Sequence, residues 1–158
     1  MRNMQIILWR HAEAEDLAPS DHARRLTVKG QKQADAMARW LRQHVDSDLA
    51  QWRIIASPAI RTQQTAAALD LRFATEPAIA PDTSSSAMIA AAGWPDAKDN
   101  VLVVGHQPTL GMVAAQLLNG VEGYLSVKRG AIWWFEARHR NGKMQTVLRA
   151  MATPESIM

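Results

Sequence analysis

Three short apolar runs constrain this chain more than anything else in it. Ile6-Ile7-Leu8-Trp9, Arg53-Ile54-Ile55-Ala56 and Val101-Leu102-Val103-Val104 are each too short for a helix and are bounded by polar or turn-forming residues. The first and third carry no internal polar position. A strand with one wet face alternates polar and apolar residues, so an unbroken run marks a strand buried on both faces. Such strands belong to a sheet covered by helices on each side.

The intervals between the runs read as those helices. Thr27 has the chemistry of an N-cap before Val28-Lys29-Gly30, and Ala34, Met37, Ala38 and Leu41 follow at helical spacing to about His44. A second helix is predicted from Ile60 to about Leu69. A third follows Asp82-Thr83-Ser84, which resembles a cap, and runs through Met88 and Ala91 until Gly93 and Pro95 close it. A fourth opens at Pro108 or Thr109 and extends to about Leu118. The segment Phe73–Ile79 fits a short strand but is ambiguous. Ala131–Ala137 and Gln145–Met151, joined through Asn141-Gly142, form a hairpin candidate. Strands alternating with helices and then a terminal hairpin imply an α/β sandwich with a mixed sheet. With 158 residues, two independent cores would each be small, so residues 1–158 are expected to form a single domain.

In sheets of this kind ligands bind beyond the C-terminal ends of the strands. The first strand runs out into Arg10-His11-Ala12, the second into Ser57-Pro58-Ala59-Ile60-Arg61, and the third into Gly105-His106-Gln107-Pro108. Each exit thus carries an arginine, a histidine or both. Taken singly these residues are ordinary loop or helix-surface groups. Brought to one edge of one sheet, they form a cationic pocket with two imidazoles, suited to a phosphoryl group that accepts several charge-assisted hydrogen bonds. Composition agrees: of 18 cationic side chains 13 are arginine, the residue suited to a bidentate grip on phosphate. Cysteine is absent, which excludes disulfides, thiolate metal sites and a cysteine nucleophile.

Four segments, LWRHA at 8–12, ARRLTVKG at 23–30, ASPAIRTQQTA at 56–66 and VVGHQPTLG at 103–111, occur in the order found in the histidine phosphatase superfamily. On these the chain resembles that superfamily, and most closely its small SixA-type members, which are phosphohistidine phosphatases. The resemblance implies a three-layer α/β/α sandwich with a mostly parallel mixed sheet, phosphoglycerate mutase-like, and a phosphatase that needs neither metal nor cofactor. It makes His11 the nucleophile that carries a phosphohistidine intermediate. Arg10 and Arg61 become the clamp on the non-bridging oxygens, and His106 a hydrogen-bond donor to the phosphoryl group. Arg24 matches an arginine that the family places in an R-P-L-T segment. Here arginine replaces that proline, which leaves open whether Arg24 or Arg25 reaches the phosphate. Gly105 is a further substrate-site candidate whose backbone is placed to position His11. Asp82 is a candidate general acid, with helix capping as its other reading.

The implied substrate is a phosphorylated protein of the histidine phosphotransfer kind. A small phosphoester, as in the mutase-like enzymes, and a non-catalytic phospho-ligand module are the alternatives. A net charge of +3 invites a nucleic-acid reading, yet no basic run exceeds two residues, so no nucleic-acid partner is expected. His22, His44 and His139 lack metal-ligand spacing. Neither a signal-peptide pattern nor a stretch long enough to span a membrane is visible, and the expected location is the cytoplasm.

Overall fold

The computed structural model describes residues 3–158. Its centre is β1 (Met4–Arg10), flanked on one side by β4 (Val101–Gly105) and on the other by β5 (Ile132–Arg140). Beyond β4 lie β2 (Arg53–Ala56) and the two-residue edge strand β3 (Ala74–Thr75), and beyond β5 lies β6 (Lys143–Ala152). The order is therefore β3-β2-β4-β1-β5-β6. The first four of these strands are mutually parallel, while β5 runs antiparallel to both neighbours.

The apolar runs are unbroken because both faces of the inner strands are covered. Ile7, Trp9, Leu102 and Val104 face one core, shared with α1 (Val28–His44) and α2 (Ile60–Ala67). Ile6, Leu8, Val101 and Val103 face the other, under α3 (Ser85–Ala92) and α4 (Thr109–Asn119). This strict alternation follows from the two-residue period of a strand. It makes the three-layer sandwich. The Thr27 side chain caps α1 by accepting from the Gly30 amide, and Ala34, Met37, Ala38 and Leu41 are its buried stripe.

Several boundaries differ from the sequence reading. The helix expected to reach Leu69 stops at Ala67, because the chain tightens into a turn ending at Asp70, whose φ is 55°. Leu69 is nonetheless buried in the core. The ambiguous 73–79 segment splits into β3 and a 3₁₀ turn at Pro77–Ile79, where the Glu76 carboxylate accepts from the Ala78 amide. The hairpin strands extend to Arg140 and Lys143, with Asn141 and Gly142 both left-handed, as a two-residue primed turn requires. A short α5 (Pro154–Ile157), closed by a capping box between Thr153 and Ser156, lay outside the sequence reading.

Candidate active site

Parallel pairing brings the strand exits together. Arg10 is in register with Gly105, and Ala56 with Val104. Just beyond the strands, the His11 amide donates to the Gly105 carbonyl at 3.2 Å and the Ser57 amide to the Val104 carbonyl at 3.1 Å. Arg10, His11, Arg61 and His106 consequently line one cavity of about 380 Å³. The polar segment after β1 contributes Asp21 and Arg24, and the loop before α3 contributes Asp82.

His11 is 6% exposed, and its Nδ1 lies 2.8 Å from the Ala12 carbonyl oxygen. A carbonyl only accepts, so Nδ1 carries the proton and the lone pair resides on Nε2. Burial pushes the ring's pKa down to about 3; the Ala12 bond opposes it, and His106, Arg61 and Arg10 each add a lesser lowering. The neutral, nucleophilic form is thus the resting form at neutral pH.

His106 is fixed in the opposite tautomer. Arg61 Nη2 donates to its Nδ1 at 3.3 Å, which leaves Nε2–H to donate to Ser57 Oγ at 2.8 Å. Burial and the Arg61 charge hold this ring's pKa near 4. Its two nitrogens are therefore engaged by protein groups, and donation to a phosphoryl oxygen requires Nδ1 to gain a proton and Arg61 to give up its bond there. The two imidazole rings stand 5.4 Å apart.

Arg61 is 4% exposed and held from the far side by Asp21, whose carbonyl accepts from Nη1 at 2.8 Å and whose Oδ2 accepts from Nη2 at 3.1 Å. The other carboxylate oxygen of Asp21 accepts from Arg24 at 3.2 Å. Burial works to raise the Asp21 pKa, but these two arginines lower it overall, so it is an anion. Arg10 is anchored through Nη1 to the Val127 carbonyl at 2.9 Å. The Nε–H groups of Arg10 and Arg61 are both buried without an acceptor. Orphaned charged donors are costly, and a tetrahedral oxyanion supplies the acceptors they lack.

The polar residues of the 56–66 segment hold this arrangement. Thr62 Oγ1 and Gln63 Nε2 bond the Ser57 carbonyl, Thr65 Oγ1 accepts from the Ala12 amide while donating to the Arg61 carbonyl, and Gln64 Oε1 accepts from the Leu26 amide. One helical turn thus fastens the loops after β1 and β2.

Other expected site residues stand as follows. Gly105 is not part of the cavity lining: it lies in the sheet, meets His11 through backbone alone, and a Cβ there would press on Met88. Arg24 lines the cavity, whereas Arg25 does not. Arg24 is tied to Asp21 and to the Glu15 carbonyl, so any phosphate contact is shared with Asp21. Asp82 is not the helix cap. Ser84 fills that role by accepting from the Ala87 amide, and Asp82, at φ 69°, is exposed on the cavity wall. Asp21, Ser57 and Arg129 are cavity or support residues that the sequence does not assign; the signal for Ser57 is that it opens the second strand's exit, four residues before Arg61 in the matched segment. Among the described residues no three His, Asp or Glu side chains group as a metal-binding set, and no helix is long and apolar enough to cross a membrane.

A mostly parallel sheet with buried imidazole and arginine at its strand exits defines an α/β enzyme of phosphoryl chemistry. Residues 6–83 match the family described as the histidine phosphatase superfamily (branch 1). The chain is 31% identical over 166 residues to the phosphohistidine phosphatase SixA homolog of Haemophilus influenzae, covering 96% of this chain and 97% of that one. It is 32% identical over 126 residues to phosphohistidine phosphatase SixA of Escherichia coli, covering 74% and 76%. The structure of a protein histidine phosphatase SixA complexed with tungstate superposes with a TM-score of 0.77 at 25% identity, covering 98% of this chain and all of that one. The chain belongs to the histidine phosphatase superfamily and is a phosphatase.

Proposed function

We propose that this phosphatase hydrolyses phosphohistidine on a protein substrate through a covalent intermediate on His11. The Nε2 lone pair of His11 attacks phosphorus in line, the bond from phosphorus to the substrate imidazole breaks, and that ring, protonated on its other nitrogen, keeps the electron pair and leaves as neutral imidazole. Water then attacks the phosphorus held on Nε2, releasing inorganic phosphate and restoring neutral His11. Arg10 and Arg61 bind the non-bridging oxygens, their acceptor-free Nε–H groups included, and His106 stabilises the charge that builds there. The observation that carries this reading is the Nδ1 bond to Ala12, which aims a permanent lone pair from the only imidazole in the cavity with an unengaged nitrogen.

A protein substrate is supported by the names of the relatives. A second substrate class is favoured by Asp82, which has no hydrogen-bond partner among the described residues and lines the cavity. It is placed to protonate an alkoxide leaving group, which an imidazole leaving group does not require.

Incubation with a phosphohistidine protein and with a phosphomonoester tests both. Wild-type protein releases phosphate from the phosphohistidine protein and, on rapid quench in alkali, yields phosphorylated enzyme. His11→Ala gives neither. Full activity in that variant overturns the assignment. Asp82→Asn impairs only the phosphomonoester reaction; equal loss on both substrates removes Asp82 from the leaving-group role.

A further inference from the structure

Beside the catalytic cavity lies a second one, of about 240 Å³, and Arg10 and Arg129 line both. Lys29, in the first turn of α1, and Lys128 add two more cations to it. The carboxylates present are largely committed or easily displaced. Glu13 accepts a hydrogen bond from the Thr27 hydroxyl at 2.8 Å and stands 3.9 Å from Arg129. Glu155 pairs with Lys128 at 3.0 Å, but both side chains are almost two-thirds exposed, where such pairs exchange at little cost. Lys29 has no acidic partner among the described residues, and the first turn of α1 has no acidic residue to balance its N-terminal partial charge.

A donor on a largely buried side chain points the same way. Gln33 lines this cavity and is 9% exposed. Its Oε1 accepts from the Glu13 amide at 3.0 Å, which identifies the other atom as the NH₂ group, and that group has no acceptor among the described residues. Arg10 and Arg129 share this cavity, and burial first and the Arg129 charge next hold the Arg10 pKa below its usual value. Amide, ammonium and guanidinium donors therefore converge on a space whose four cations outnumber its two carboxylates, Glu13 and Glu155.

We propose that this second cavity is a carboxylate subsite, filled by the side chain of an Asp or Glu that neighbours the phosphorylated histidine on the protein substrate. The proposal rests on the reading of the catalytic cavity given above and names a feature of the substrate that the reading lacks. A carboxylate fits better than a second phosphate: the four cations exceed Glu13 and Glu155 by two, Arg10 is already committed to the phosphoryl group of the catalytic cavity, and one negative charge satisfies what remains. Because Arg10 and Arg129 border both cavities, one ligand can present a phosphoryl and a carboxylate group on opposite sides of those two side chains.

The test uses two phosphohistidine peptides, one with glutamates flanking the phosphorylated residue and one with glutamines in their place. Binding to the His11→Ala protein is read by fluorescence anisotropy, and kcat/KM is read on the wild-type background. The acidic peptide is expected to bind about tenfold more tightly at low salt, as a few rim ion pairs allow. In a Lys29→Ala, Lys128→Ala double variant that preference shrinks to about twofold, while kcat/KM for p-nitrophenyl phosphate is unchanged. A Lys143→Ala change on the distant hairpin turn leaves the preference intact. An undiminished preference in the double variant overturns the proposal. So does a loss confined to small phospho-acids such as 3-phosphoglycerate, which would make the occupant a metabolite carboxylate. If the wild-type protein turns over neither peptide, the catalytic reading falls, and the anisotropy preference still decides this one.

Discussion

Arg61 donates from Nη2 to Nδ1 of His106 across 3.3 Å, and this single contact makes the histidine an acceptor toward the arginine and a donor toward Ser57. Both catalytic candidates are thereby locked in orientation before any substrate arrives. Such preorganisation holds the Arg61 guanidinium and the His106 ring beside the phosphoryl position, so that only the proton on His106 and its bond to Arg61 have to change when the phosphoryl group arrives.

Removing Ser57 Oγ breaks the far end of that chain. Ser57→Ala leaves the His106 Nε2–H buried without an acceptor, at a cost of about 1–3 kcal/mol, and frees the ring to turn. The expected outcome is a kcat lowered about tenfold with KM nearly unchanged, because His106 acts on charge that develops only in the transition state. A rise in KM alone would show that Ser57 matters for binding and not for the orientation of His106.

Asp21 supplies an anion to a site built for anions. Its carboxylate sits on Arg61 and Arg24, and it competes with phosphate for both. Asp21→Asn removes one repulsive charge near the bound product, worth about 1 kcal/mol at a few ångströms in water-like surroundings. Inorganic phosphate should therefore inhibit the variant roughly fivefold more strongly. A support role alone gives the opposite sign, since a loosened Arg61 would hold phosphate less well. Measured inhibition constants for the two proteins decide between them.

What the sequence revealed and what it concealed divide along physical lines. The strands were legible because β1 and β4 are buried on both faces, which writes an unbroken apolar run at Ile6–Trp9 and Val101–Val104. His11, Arg61 and His106 were legible because each follows such a strand within a few residues. Asp21 was not, because its partner Arg61 lies forty residues away and the segment between β1 and α1 follows no period. Asp82 carries two readings in the sequence, acid and cap, since Asp, Thr and Ser all cap helices, and only the backbone shows that Ser84 of that stretch takes the position. The glutamine amide of Gln33 gave no signal at all, being one polar residue on a helix whose other buried positions are mostly apolar.

The depressed histidine pKa values fix a pH dependence of stability. His11 and His106 remain neutral in the folded protein down to about 3 and about 4, whereas the same rings in the unfolded chain take up protons near 6.5. Below pH 6.5 the unfolded state binds more protons, so the stability these residues contribute is fully present above that pH and is lost as pH falls toward 4. Each ring costs about 1.4 kcal/mol per pH unit in that window. Urea midpoints measured from pH 7 to pH 4 should fall steeply, and a His11→Asn, His106→Asn double variant should show a slope shallower by close to two protons. An unchanged slope would mean that the rings are protonated in the folded state.

Gly30 tests how the loop after β1 is seated. It lies in the first turn of α1, where the Glu13 backbone passes so close that an added Cβ would fall within the contact radius of the Glu13 carbonyl oxygen. That same Glu13 carbonyl accepts from the Thr27 amide, and the Glu13 amide donates to Gln33, so the loop cannot simply move aside. Alanine is the better helix former, by about 1 kcal/mol on propensity alone. Overpacking against backbone costs more than that, typically about 1–3 kcal/mol and occasionally beyond. Gly30→Ala should therefore be destabilising in urea unfolding despite its favourable propensity. It should also lower kcat/KM, because displacement of Glu13 pulls on Ala12, whose carbonyl holds His11 and whose amide is bound to Thr65. A variant as stable and as active as the wild type would show that the loop yields freely and that His11 is oriented without it.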